Sequence, residues 1–110
     1  MPSQSSAAVL ALTFVSCPAE HADAVARTLV EQRLAACVSV LPQLRSVYRW
    51  QGAIESADEA LLLIKHPAER FDALRAAVLA VHPYELPEIV MVGGDAVHRP
   101  YLDWVIASCS

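Results

Sequence analysis

The stretch that decides the fold is Cys37-Val-Ser-Val-Leu-Pro-Gln-Leu-Arg-Ser-Val-Tyr-Arg-Trp-Gln-Gly-Ala-Ile-Glu-Ser-Ala-Asp-Glu-Ala-Leu-Leu-Leu-Ile-Lys65. It reads as one long β-hairpin folded at Gln51-Gly52, because glycine supplies the φ > 0 geometry that a two-residue turn requires. Before the turn, Val38, Val40, Val47 and Tyr48 favour strand, and Arg45, Val47 and Arg49 alternate with Leu44, Ser46, Tyr48 and Trp50. After it, Leu61 to Ile64 is an apolar run expected of a strand buried on both faces. Pro42 cannot donate to a ladder, so it marks a bulge or an edge segment and predicts a strand divided into two pieces.

Such an arm outreaches its own domain. About 14 residues at ~3.3 Å each span roughly 46 Å. A compact chain of this length has a diameter of about 35 Å. The overhang is the half nearest the tip, with Tyr48, Trp50 and Ile54. Aromatic residues on an overhanging edge strand invite pairing with another chain. Self-association through the arm is therefore expected.

Working outward, Val9 to Val15 reads as a buried strand. Pro18 suits the first turn of a helix, and Ala22, Val25, Ala26, Leu29 and Val30 recur on one face of it to about Arg33. Pro67 opens a second helix, with Phe71, Leu74, Val78 and Val81 as its buried stripe. Pro83 ends that helix at His82. Ile89 to Val92 is a last strand, Gly93-Gly94-Asp95 a turn, and Pro100 to Ala107 a short closing helix. Residues 1–8 are expected to be a flexible N-terminus and 9–110 a single domain.

The order strand, helix, strand, strand, helix, strand predicts an α+β, ferredoxin-like βαββαβ domain. Both helices would lie on one face of an antiparallel sheet. The other face, built from strands this apolar, needs cover from the closing helix and from neighbouring subunits. This is a second argument for an oligomer.

The totals narrow the function. A net charge of −4 and 55% hydrophobic content in 110 residues describe a globular domain without the basic face that a nucleic-acid binder needs. Three widely spaced cysteines, Cys17, Cys37 and Cys109, fit a reducing cytoplasm better than a disulfide framework. Ala7 to Cys17 has the apolar length of a signal-peptide core but no Lys or Arg before it. The same residues are needed as the first strand. No segment is long enough to cross a membrane as a helix.

The densest polar constellation is His82-Pro-Tyr-Glu-Leu-Pro-Glu88, where two prolines stiffen a connector bearing an imidazole, a phenol and two carboxylates. An imidazole with carboxylate or thiolate partners suits copper or zinc. The plainer alternative has His82 satisfying the last helix carbonyls and Tyr84 acting as a wedge. Cys17 precedes a helix N-terminus, where the macrodipole favours thiolate; alternatively it closes the first strand as a small buried residue. Cys37 reads as core, Cys109 as incidental, and His21, His66 and His98 as solvated. Lys65, at the end of an apolar strand, is either an anion contact or a snorkelling end residue. No Gly-rich phosphate loop, GxSxG or HExxH is present; Glu55, Glu59, Glu85 and Glu88 could meet in space for acid–base work, but nothing in the spacing demands it.

Five segments together, Leu34 to Val38, Tyr48 to Glu55, Leu62 to Lys65, His82 to Glu88 and Tyr101 to Trp104, resemble the CutA, or divalent-cation tolerance, proteins. The resemblance runs from about Val9 to Ala107. It implies a non-enzymatic, cytoplasmic homotrimer with hairpins pairing between subunits, linked to copper tolerance and able to bind Cu(II) or other divalent cations. It implies His82, Glu88 and Cys17 as candidate metal ligands, although Ser-Cys-Pro-Ala-Glu-His departs slightly from the family pattern at the helix entry. Tyr48, Trp50, Glu55, Lys65 and Tyr84 match positions of an intersubunit cleft. A rival reading is a small-molecule signalling trimer like the PII proteins, with Lys65 and the Arg45/Arg49 pair holding an anion. A third is a trimeric scaffold with no site at all.

Overall fold

The computed structural model describes residues 8–110; the expected flexible N-terminus, residues 1–8, lies almost wholly outside them. The strands are β1 (Leu10–Cys17), β2 (Cys37–Trp50), β3 (Ala53–Pro67) and β4 (Ile89–Gly93), and the helices α1 (Ala19–Glu31), α2 (Phe71–Val81) and α3 (Arg99–Ser108). A single 3-10 turn, Ala68–Arg70, leads into α2. The four strands form one antiparallel sheet in the order β2-β3-β1-β4. This is the ferredoxin-like arrangement expected from the element order.

The hairpin turns at Gln51-Gly52. Trp50 pairs with Ala53, and both turn residues have positive φ, 51° and 85°, as a tight two-residue hairpin turn demands. Pro42 does not split the strand. β2 is continuous from Cys37 to Trp50, because the irregularity is absorbed as a bulge between Leu41 and Leu44, with Gln43 at φ 61°. The arm gives the molecule extents of 43 × 34 × 23 Å and a radius of gyration of 15.0 Å. A compact chain of this length has about 13 Å. The overhang is real.

The core lies between the sheet and the helices α1 and α2. Val15 and Cys17 of β1 and Ala60, Leu62 and Ile64 of β3 pack there with Val25 and Leu29 of α1 and Leu74 and Val78 of α2. Truncating a fully buried leucine such as Leu62 would cost about 2–5 kcal/mol. Helix α1 ends on Arg33 at φ 59°. There the Leu34 N–H donates to the Leu29 carbonyl and the Arg33 N–H to the Val30 carbonyl, a Schellman closure formed without glycine.

Several expectations need correction. Leu62 and Ile64 are fully buried, but Leu61 and Leu63 are only half-buried, since they point to the sheet face that α1 and α2 leave bare. Val9, Val30 and Val81 are exposed because they lie outside the helix–sheet contact. Cys37 is half-buried beside Lys65 and not in the core. Cys109 is buried, held where the Arg70 guanidinium donates to its carbonyl. His66 is not solvated; it is fully buried.

Candidate functional site

The bulge in β2 decides which side chains meet on the bare face. Leu41 pairs with Leu61 and Leu44 with Glu59, so two residues of β2 oppose one of β3. Side chains alternate along a strand. Before the bulge, Cys37, Ser39 and Leu41 share that face with Lys65, Leu63 and Leu61; after it, Ser46, Tyr48 and Trp50 share it with Ala57, Glu55 and Ala53. Were the same residues to alternate regularly, with no bulge, Tyr48 and Trp50 would stand on the opposite face.

The connector 82–88 forms the facing wall. Pro83 disfavours helical geometry at the residue before it, and His82 leaves α2 extended, at φ −75° and ψ 133°. The Tyr84 N–H donates to His82 Nδ1 at 3.2 Å. Nδ1 must therefore be the acceptor, and Nε2 carries the proton that it donates to the Ser16 carbonyl at 2.7 Å. The two rings lie 4.8 Å apart between centroids.

Below this wall two carboxylates are held. The Ser16 hydroxyl donates to Glu88 Oε1 at 3.2 Å, and the Tyr84 hydroxyl to Glu59 Oε2 at 2.7 Å. Burial, then the hydrogen bond to Glu59 and its charge, push the Tyr84 phenol far above its ordinary value, so it stays a donor. Between connector and hairpin opens a cleft of about 650 Å³, lined by Ser16, Tyr48, Trp50, Glu59, Tyr84 and Glu88 among others.

The expected site residues divide. Tyr48, Trp50, Tyr84 and Glu88 do meet at the cleft. Glu55 pairs with Tyr48 but lies outside the lining. Lys65 is six residues along β3 from Glu59, roughly 20 Å at ~3.3 Å each; its ammonium donates to Ser39 Oγ and lies 3.9 Å from Cys37 Sγ. Cys17 points into the core while its neighbour Ser16 faces the cleft. Burial, reinforced by Glu59 and Glu20, raises the Cys17 thiol above its ordinary value. That opposes the thiolate reading and agrees with the other, a small buried residue closing β1. Among the described residues no three His, Cys, Asp or Glu side chains converge as a metal-holding group.

Sequence reasoning counted Glu59 only among carboxylates able to meet in space; it does meet Glu85 and Glu88 at the cleft, and it is the most buried carboxylate there, 5% exposed. Its signal was positional. It sits one residue before the buried Ala60, at the inner end of an arm whose outer residues are exposed. Ser16 was missed because a serine ahead of Cys17 carries no spacing of its own.

The family model described as CutA1 divalent ion tolerance protein matches residues 11–108. The mouse relative, Protein CutA, is 45% identical over 93 residues, covering 84% of this chain and 52% of its own. The chain thus spans about half the length of that relative. Among solved structures, CutA from Xylella fastidiosa has a TM-score of 0.89 at 41% identity, covering 92% of this chain and 98% of its own. A structure from Nostoc described as a PII-like protein CutA in apo form has a TM-score of 0.86 at 34% identity, covering 91% and 97%.

Proposed function

The chain belongs to the CutA1 divalent ion tolerance family, and we propose that it acts as a cytoplasmic homotrimer that binds divalent cations, copper(II) foremost. The family's description is one of ion tolerance, a binding and response role and not a class of enzyme. The observation that carries the metal reading is the fixed tautomer of His82. The Ser16 carbonyl accepts a hydrogen bond from Nε2–H, which leaves the lone pair on Nδ1, as metal-ligating imidazoles are oriented. An arriving cation would replace the 3.2 Å bond from the Tyr84 N–H, and Glu88 would add an oxygen. Within one subunit this donor set is incomplete. Cys17 joins it only by leaving the core and ionising, so His82 and Glu88 make the first contact. Nitrogen and oxygen donors of this kind suit copper(II).

The trimer reading is supported by the bare sheet face and by the overhanging arm. Val47, Tyr48 and Ile54 stay exposed near the tip, and an exposed edge of that kind is normally paired or blocked.

A small-molecule reading has one observation in its favour, the cleft itself, whose volume lies within the ~300–1,000 Å³ usual for ligand pockets. The anion contacts expected for it are dispersed. Lys65 is remote, Arg45 is turned to Asp58 at 3.3 Å, and only Arg49 lines the cleft.

The test is a copper(II) titration of the metal-stripped full chain beside His82→Ala, with mass measured by light scattering in the same samples. Saturable binding by a species of three subunits, lost in the variant, is the expected result. Equal binding by His82→Ala would remove the imidazole from the site, and a single-subunit mass would remove the trimer. A trimer indifferent to copper and to alanine at His82, Glu88 and Lys65 would leave only a scaffold.

A further inference from the structure

We infer that the cleft between the hairpin and the 82–88 connector is a site for an organic ammonium ion bearing an aromatic or apolar body, with Glu59 as its counter-ion. Three carboxylates line the cleft, Glu59, Glu85 and Glu88, against the single guanidinium of Arg49. Within one subunit two negative charges are left uncompensated, the reverse of what an anion site requires.

Glu59 is the particular residue that calls for a cation. It is 5% exposed and faces the cleft. Its only side-chain hydrogen bond among the described residues is the one Tyr84 gives to Oε2, and no Lys, Arg or His pairs with it there. A buried carboxylate is normally paired with an opposite charge or saturated with hydrogen bonds. Here Oε1 has neither within the subunit and opens to the solvent of the cleft, since among the described residues no buried side-chain oxygen is left without a partner.

The rest of the lining selects the kind of cation. Tyr48, Trp50 and Tyr84 surround the carboxylates with aromatic surface, and aromatic faces attract ammonium groups, tryptophan most strongly. A bare divalent ion would need several oxygen or nitrogen ligands at close range, and no three such side chains converge among the described residues. An ammonium group needs one charge-assisted hydrogen bond and apolar cover for its body. The cleft supplies both.

The test uses the full-length protein and three molecules of one shape: phenethylamine, protonated at pH 7.5, its alcohol 2-phenylethanol, and the anion phenylacetate. Binding is read by calorimetry and by quenching of tryptophan emission. Phenethylamine is expected to bind at least about tenfold more tightly than the alcohol, as befits a hydrogen bond to a charged group, and phenylacetate not at all. Glu59→Gln should weaken the amine by about tenfold while leaving the alcohol unchanged. Equal affinity for amine and alcohol, or an amine affinity indifferent to Glu59→Gln, would overturn the inference. Should Glu59→Gln fail to fold, the three-ligand comparison on the unsubstituted protein decides alone. The copper titration remains separate: an unsubstituted chain that binds the amine but not copper removes the metal reading only, and one that binds copper but not the amine removes this one only.

Discussion

Thr13 Oγ1 lies 2.7 Å from His66 Nε2, a hydrogen bond between two fully buried side chains of adjacent strands. The other ring nitrogen, Nδ1, lies 2.7 Å from the Pro67 carbonyl. A carbonyl only accepts, so Nδ1 carries the proton and Nε2 accepts from the threonine hydroxyl. The imidazole is neutral and both of its nitrogens are satisfied.

That arrangement makes stability depend on pH with a definite sign. Burial, partly opposed by the Pro67 carbonyl, lowers the His66 value below that of a free imidazole. The unfolded chain therefore binds the proton more readily than the folded one. The contribution is whole above the unfolded value of about 6.5. It is lost as pH falls through that value towards the lower folded one, and is level below both. Urea midpoints measured from pH 8 to pH 4 should fall in this window, and the fall should shrink in His66→Gln. An identical pH profile in the variant would assign the acid sensitivity to other groups.

The bond between Tyr84 and Glu59 ties the connector to β3. Tyr84→Phe keeps the ring but strips a buried carboxylate of its hydrogen bond, at a cost of about 1–3 kcal/mol. With Glu59→Gln as the second arm of a double-mutant cycle, the coupling should be about 1–2 kcal/mol. Additive losses in chemical denaturation would mean that the two groups do not depend on each other.

How much of this was legible depends on whether the signal was local. The turn at Gln51-Gly52 and the helix stop at His82 were readable because glycine and proline act through their own backbone. The bulge was readable from Pro42 as a break in the ladder, but its consequence was not. Which face Tyr48 and Trp50 occupy follows from the register of Leu41 and Leu44 against β3, a fact held in two strands at once. His66 was misjudged, and the burial of Glu59 went unread, for the same reason. Each is a polar residue in a strand whose burial is decided by Thr13 or Tyr84, 53 and 25 residues away.

The bulge itself can be tested. Deleting Gln43 removes the extra residue, so that Leu41 and Leu44 stand two apart and still oppose Leu61 and Glu59. Ser46, Tyr48 and Trp50 should then keep their face and their partners, because a regular ladder now delivers the same register that the bulge delivered. The expected signs are an unchanged Trp50 emission maximum and retained phenethylamine binding, in a chain with native far-UV dichroism. A shifted emission maximum with lost binding would show that the arm had slipped by one residue instead.

The sheet face away from α1 and α2 carries the last prediction. Leu12 pairs with Val92 and Phe14 with Val90 across β1 and β4, and Phe14 pairs with Leu63 and Leu41 with Leu61 on the other side. Alternation puts all seven on one face. α3 packs on β3 and β1, yet Leu41, Val90 and Val92 remain 45%, 51% and 43% exposed. An apolar surface of this continuity marks an interaction site. Val90→Asp places a charge where the isolated subunit already meets water, so the subunit's own fold should lose no more than about 0.5 kcal/mol. Within a trimer the same carboxylate would be buried without a partner, which is prohibitive. Light scattering should then report one subunit where the unsubstituted chain reports three, with the far-UV spectrum unchanged. A trimer that survives Val90→Asp combined with Leu41→Asp would move the contact away from this face and leave the hairpin arm as the surface through which subunits meet.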